Sequence, residues 1–391
     1  MLRSNGWLVS YGLLGLTQNG LVPVLMPLAA ADGGRAGLTY AAFSLLGLFA
    51  PVLGSWADRT DRHRDLLIGG ALVGGVMLLL FAVVHGPSHI LLAAGAGLGT
   101  MAMTTAGNVL AIQGVPEDEW DARVAVLQRY VSAGQVIGLV LAGVLAGRHA
   151  ERGFAFAGIA LLVASVLAMS APAPARRSFS RPPIKPMVGG DAGVSGPHHR
   201  GHHVSWQELR AYIAVINRPL RWFLLIWLIA YPAMNGFATL FPVAMTRELG
   251  MHPILPSSAY AIGVAASLLL YAPVGAMARR IGEWRMLLAV LAVVGVLQVS
   301  WIGWPMLIGF ALIQFVWPLL AVAANALAVH LAPDARGESV GLFNAATSLA
   351  AAVGSALAGV IFGVAGFAAL TAVTFLFVAA ASVLIAFAPK A

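Results

Sequence analysis

The chain has 391 residues, 60% of them apolar and only 10% charged, with no cysteine and a formal net charge of +8. Soluble domains hold about 45–50% apolar and about 25% charged residues, so the chain reads as an integral membrane protein. Disulfides, thiolate metal sites and a cysteine nucleophile are excluded, and the basic residues sit in loops without interleaved aromatics, which sets nucleic acid aside.

The apolar runs do not alternate as the strands of an outer-membrane barrel do, so the spans are expected as helices. Twelve are predicted. The first, Trp7–Ala29, is too long for the about 7–15-residue core of a cleaved signal and is expected to stay in place. Leu38–Ala57, Leu66–Val84, His89–Gln113, Val124–Ala146 and Phe154–Ala171 complete a first set of six. The second set is Leu220–Ala244, Ser257–Ala278, Met286–Trp304, Met306–His330, Val340–Val364 and Phe367–Ala388. With both termini in the cytoplasm, only Arg35, Arg148, Arg152 and Arg247 of the 23 lysines and arginines fall in outside loops. That asymmetry fixes the expected orientation in the cell inner membrane.

Between the sets lies Pro172–Val204, rich in Pro, Gly, Ser, Arg and His, which cannot bury a core and is expected as a cytoplasmic linker. Ser205 to Glu208 then has capping-box spacing, and Leu209, Tyr212, Ile213 and Ile216 recur at helical intervals. Residues 205–218 therefore read as a short amphipathic helix on the membrane surface. The expected domains are residues 1–171, the linker 172–204, this helix, and residues 219–391.

The two sets repeat each other. Asn108–Pro116 reappears as Asn325–Pro333, while Gln128, Gly138 and Gly143 are matched by Asn344, Gly354 and Gly359. The loop Gly54-Ser-Trp-Ala-Asp58-Arg59 is answered more faintly by Gly275 to Arg280. Parallel repeats of this kind describe a rocking secondary transporter.

Twelve spans, a six-plus-six division, a long central linker and the charged loop after span two resemble the major facilitator superfamily. Gly54, Asp58, Arg59 and Arg62 match the family's loop, with Asp61 where a second glycine is expected and His63 where a basic residue is. The resemblance implies an all-α membrane fold of two pseudo-symmetric six-helix bundles. It also implies a cytoplasmic gate at Gly54, Asp58, Arg59 and Arg62, with Asp58 facing the helix start around Gly337–Val340. A purely topogenic loop explains the arginines without a gate. Gly134, Gly138 and Gly143 resemble the glycine-rich span five of the family's drug antiporters, but Leu139 holds the proline position and His89–Gln113 lacks their arginine. Close helix packing accounts for those glycines.

All fifteen acidic residues lie in loops or at span ends. A coupling proton must then use another group, or the protein is a facilitator, and a cationic substrate would lack a counter-charge. The candidate cavity residues are neutral, apart from Arg129. They are Gln18 and Asn19 in span one, Asn108 in span four, Gln135 in span five, and Tyr231 and Asn235 in span seven; Gln314, Trp317 and Asn325 lie in span ten. The resemblance implies that spans one, four, seven and ten line the cavity. Interhelical hydrogen bonds, worth about 0.6 kcal/mol each on average, are the competing role for the polar ones. For Arg129 it is snorkelling to the inner surface. Trp301, Trp304, Tyr260 and Tyr271 are read with the same caution, Trp304 as an interfacial anchor.

The expected function is transport of a small neutral or weakly anionic, partly apolar solute, with export favoured, by a monomer without cofactor. His198, His199, His202 and His203 raise a divalent-metal exporter as the alternative, although a solvated linker explains them without metal. A transporter-like receptor is the other alternative; no catalytic constellation is present in the spans.

Overall fold

A computed structural model describes residues 6–30, 32–84, 86–112, 120–146, 149–172, 218–270, 273–274, 277, 280–299, 304–331 and 336–388. The linker beyond residue 172, residues 205–217 of the surface helix expected at 205–218, Trp301 and Tyr271 lie outside the described residues, as do the side chains of Asp58, Arg59 and Asn108.

The described residues are helical, with no strand among them. The first span is α1 (Gly6–Leu14), a π-helical turn (Gly15–Leu21) and α2 (Val22–Ala29). The second is α3 (Gly33–Leu45), a 3-10 turn (Leu46–Phe49) and α4 (Ala50–Thr60). Then come α5 (His63–Val83), α6 (Ser88–Ile112), α7 (Trp120–Leu145) and α8 (Ala150–Ala168). After the linker follow α9 (Arg218–Arg247), α10 (Ile254–Ser267), α11 (Glu283–Gln298), α12 (Trp304–His330) and α13 (Arg336–Ala386). Among the described residues, seven helical stretches are long and apolar enough to cross a membrane. The break expected between Val364 and Phe367 falls at Gly366, where α13 passes from one helix into a second: Gly366 adopts φ 75° and the Glu248 carboxylate accepts from Phe367 N at 3.1 Å.

Two apolar cores form. One draws on Trp7 to Ala171 and takes in Ala261 and Val264 of α10; the other draws on Leu220 to Ile385 and takes in Ala36 of α3. Hydrocarbon tails are as apolar as leucine, so burial alone does not join membrane helices and close backbone contact must. Glycine supplies it. A Cβ on Gly134 would stand 1.8 Å from Gly12 O, and one on Gly138 would stand 2.2 Å from Leu16 O, so α7 lies directly on the first span.

Between the two bundles, α3 runs antiparallel to α13. Gly33 meets Phe362, Gly37 meets Ser355 and Gly359, and Gly47 meets Ser348. Gly143 of α7 meets Ile254 and Ser257 of α10. At the end away from the linker, the Arg247 guanidinium donates to Leu28 O at 3.2 Å and to Ala30 O.

The loop after α4 shows why Asp61 stands where a glycine is expected. Asp61 has φ 53° and ψ 33°, and is the one non-glycine residue with positive φ among those described. The turn needs a left-handed residue to end α4, and aspartate tolerates that conformation better than most residues. Arg62 makes an exposed ion pair with Asp65 at 3.9 Å, and Arg64 donates to Met169 O at the end of α8.

Two outcomes are expected in thermal unfolding of the detergent-solubilised chain. Gly134→Val forces the first span and α7 apart and destabilises by about 1–3 kcal/mol or more, whereas Gly69→Ala, with open space around it, leaves the midpoint unchanged. Asp61→Val costs about 1–2 kcal/mol, while Asp61→Gly is neutral or stabilising.

Candidate functional site

Pro23 shapes the first polar element. It has no N–H to give the Asn19 carbonyl, so the helix widens and Val22 N–H reaches back five residues to Thr17 O. π-Bulges of this kind are frequent at functional sites. The turn carries Gln18 and Asn19, both half-buried. Gln18 Oε1 accepts from Thr104 Oγ1 of α6 at 3.3 Å. Asn19 makes no side-chain hydrogen bond to a described residue, yet neither of its polar atoms is sealed from solvent.

In α9, one face is committed to packing. Trp227 Nε1 donates to Thr347 Oγ1 at 2.9 Å, and Asn235 Nδ2 donates to Ala351 O at 3.0 Å and to Ser355 Oγ at 2.8 Å. These bonds join α9 to α13, which runs parallel to it. Asn235 is therefore an interhelical clamp, with its amide nitrogen already occupied.

Tyr231 differs. Its ring stacks on Trp227 with centroids 5.0 Å apart and lies 6.0 Å from the Trp317 ring of α12. Tyr40 of α3 and Tyr260 of α10 are the other half-buried tyrosines among the described residues. Tyr40 packs against the first core, Tyr231 against the second, and Tyr260 against both. The three phenols thus converge where the bundles meet.

Their hydroxyls have no hydrogen-bond partner among the described residues, and they are not sealed. The sealed, unpartnered side-chain atoms there are Trp284 Nε1 and Gln298 Oε1. Tyr11 provides the contrast: 1% exposed, its hydroxyl donates to Met103 O at 2.8 Å. Tyr11 is a satisfied core residue; the other three present open donors and acceptors.

The remaining sequence candidates divide. Gln314 is 7% exposed, packs beside Gly263 of α10 and has no hydrogen-bond partner among the described residues. Gln135 is half-buried, and its carbonyl abuts Gly20. Asn325 is exposed and bonds back to Ala321 O of its own helix at 2.8 Å. Arg129 is exposed on α7. Sequence reasoning named Tyr260 without choosing it and missed Tyr40, which no motif or polar cluster marks. Two apolar crevices, of about 240 and 70 Å³, lie between α11 and α13 and between α9 and α13; neither is lined by a tyrosine. No group of three metal-ligating residues occurs among the described residues, and the linker histidines lie outside them.

The sequence matches the Major Facilitator Superfamily over residues 7–333 and again over residues 223–390. No curated protein matches it. Among solved structures, the nucleoside transporter NupG is similar with TM-score 0.76 at 14% identity, covering 99% of this chain and 98% of that one. A bacterial homolog of the human lysosomal transporter Spinster, inward-facing and unoccupied, has TM-score 0.68 at 13% identity and covers 99% and 95%. The human organic anion transporter MFSD10 has TM-score 0.67 at 17% identity and covers 98% and 99%. At these identities the likeness is one of fold, and the sequence match across both bundles decides the family: the chain belongs to the Major Facilitator Superfamily.

Proposed function

We propose that this membrane transporter crosses the bilayer twelve times, with both termini cytoplasmic, and carries a small, partly apolar, neutral or weakly anionic organic solute by alternating access, with export as the favoured direction. The observation that carries the solute reading is the meeting of three half-buried phenols from α3, α9 and α10, without hydrogen-bond partners among the described residues, between two separate cores. Polar groups inside a membrane protein are costly and mark a pathway when they are left unsatisfied. The solved relatives, named as carriers of nucleosides, peptides and organic anions, include neutral and anionic cargo.

The gate belongs to the same reading. Along the antiparallel α3–α13 contact, Asp58 lies eleven residues beyond Gly47, as Gly337 lies eleven before Ser348. That register brings Asp58 level with the first turn of α13, where a carboxylate is favoured by the helix dipole by about 0.3–1 kcal/mol. Gly54 allows α4 to lie near Thr105 of α6, and Arg59 sits beside Asp58 on the same turn. Arg62, paired with Asp65, supports the turn and not the partner bundle.

Counterflow in proteoliposomes tests the transport reading. Preloading with an unlabelled solute should accelerate uptake of its labelled form, and a solute that binds without being exchanged would make the protein a receptor. With no carboxylate in mid-span, an imposed pH gradient should not drive uptake above equilibrium; accumulation would reveal a coupling proton. Asp58→Asn should express normally and change the flux rate several-fold. Wild-type flux in that variant would remove the gate.

A further inference from the structure

We propose that Tyr40, Tyr231 and Tyr260, with the Trp227–Tyr231–Trp317 wall, select an uncharged solute built on a flat ring that carries hydrogen-bonding groups at its edge. The inference rests on the reading of this region as the transport cavity and narrows the cargo within it.

The wall sets the shape. Trp227 and Tyr231 are stacked at 28°, and Trp317 stands at 53° to Tyr231 with centroids 6.0 Å apart. Trp227 is buried and tied to Thr347, which holds Tyr231 from behind, while Tyr231 and Trp317 remain only partly buried. Offset or tilted contact with such faces rewards a flat π-surface more than a puckered one.

The phenols set the edge chemistry. A phenol hydroxyl both donates and accepts, so three of them can match mixed amide, carbonyl or hydroxyl groups without a net charge. They come from both bundles, Tyr40 from one and Tyr231 and Tyr260 from the other, with Tyr260 packed on both cores. A ligand bonded to the set therefore touches both moving parts.

Charge is what this site lacks. Among the described residues, every acidic residue lies in a loop or near a helix end, and Arg129 is exposed. A cation would gain from the aromatic faces but would forfeit more by leaving water without a counter-ion. An anion would meet no buried lysine or arginine among the described residues. A neutral ring meets no such penalty.

Binding to the purified full chain in detergent, followed by thermal shift and calorimetry, tests the proposal. The probes are nicotinamide, uracil and uridine as flat neutral rings, mannitol as a neutral molecule without a ring, benzoate as a flat anion and benzamidinium as a flat cation. At least one flat neutral probe should bind, and mannitol and the two ions should bind about tenfold more weakly or not at all. Tyr40→Phe, Tyr231→Phe and Tyr260→Phe should each weaken that probe by about two- to tenfold, the loss of one neutral hydrogen bond. Their unfolding midpoints should match wild type, because these hydroxyls bond no described residue. The proposal is overturned if no flat neutral probe binds, if mannitol or an ion binds as tightly, or if all three Phe variants bind as wild type does. Binding without counterflow would sink the transport reading and leave this one. Counterflow of mannitol or benzoate without binding of any flat neutral probe would do the reverse.

Discussion

Backbone contact through glycine is the constraint on which the structure depends. In water, burying a leucine against a leucine brings helices together; in a bilayer, lipid offers the same contact. What remains is close approach, where dispersion and weak Cα–H···O contacts accumulate over many atoms. The chain has 44 glycines, and their helical spacing puts them at crossings: Gly12, Gly15 and Gly20 against α7, Gly70 and Gly75 of α5 against α6 and α8, and Gly37 against Gly359. A methyl group at most of these points would collide with backbone, which cannot swing aside as a side chain can.

The same seams serve two purposes. Within a bundle, they lock helices that must move together. Between bundles, along α3–α13 and α7–α10, they bring the two halves into close contact. Polar bonds are distributed accordingly. Asn235, Trp227 and Thr239 link α9 to α13 inside one bundle with several bonds. Across the bundles, the exposed Arg247 guanidinium clamps two carbonyls at the end away from the linker. Exposed charged contacts are worth about 0–1 kcal/mol, so this clamp is easily exchanged.

Much of the fold was legible from the sequence because its determinants are local. Apolar length marks a span, and Pro, Gly and charge mark its ends. Even the odd Asp61 was visible as a departure, and its left-handed φ shows that the loop demands a conformation and not a glycine as such. Spans eleven and twelve were separable in sequence, and α13 does break at Gly366; what was not legible is that Glu248, distant along the chain, takes up the Phe367 N–H at the start of the second helix. The site was harder to read because its chemistry is set by what other residues leave over. Asn235 looked as open as Asn19, but α13 occupies its amide nitrogen. Tyr11 and Tyr40 are the same residue type in neighbouring spans, and only the position of the Met103 carbonyl makes one structural and the other available. No periodicity records which carbonyl will be near.

The division between used and unused polar groups also bears on motion. In the proposed cycle, the bundles pivot along their glycine seams while contacts at one end break and those at the other form. A bond buried between bundles would resist that step, because separating it would strand a donor in hydrocarbon at about 1–3 kcal/mol. The phenols avoid the problem, for they owe nothing to the fold and can meet water or solute in turn. Their placement on both bundles means that a bound solute contributes bonds in the closed arrangement that neither open arrangement keeps in full. Occupancy then lowers the barrier between the open states, which is what distinguishes a carrier from a binding protein. In the proposed cycle, the three hydroxyls without a partner among the described residues let one set of contacts recognise a solute and release it.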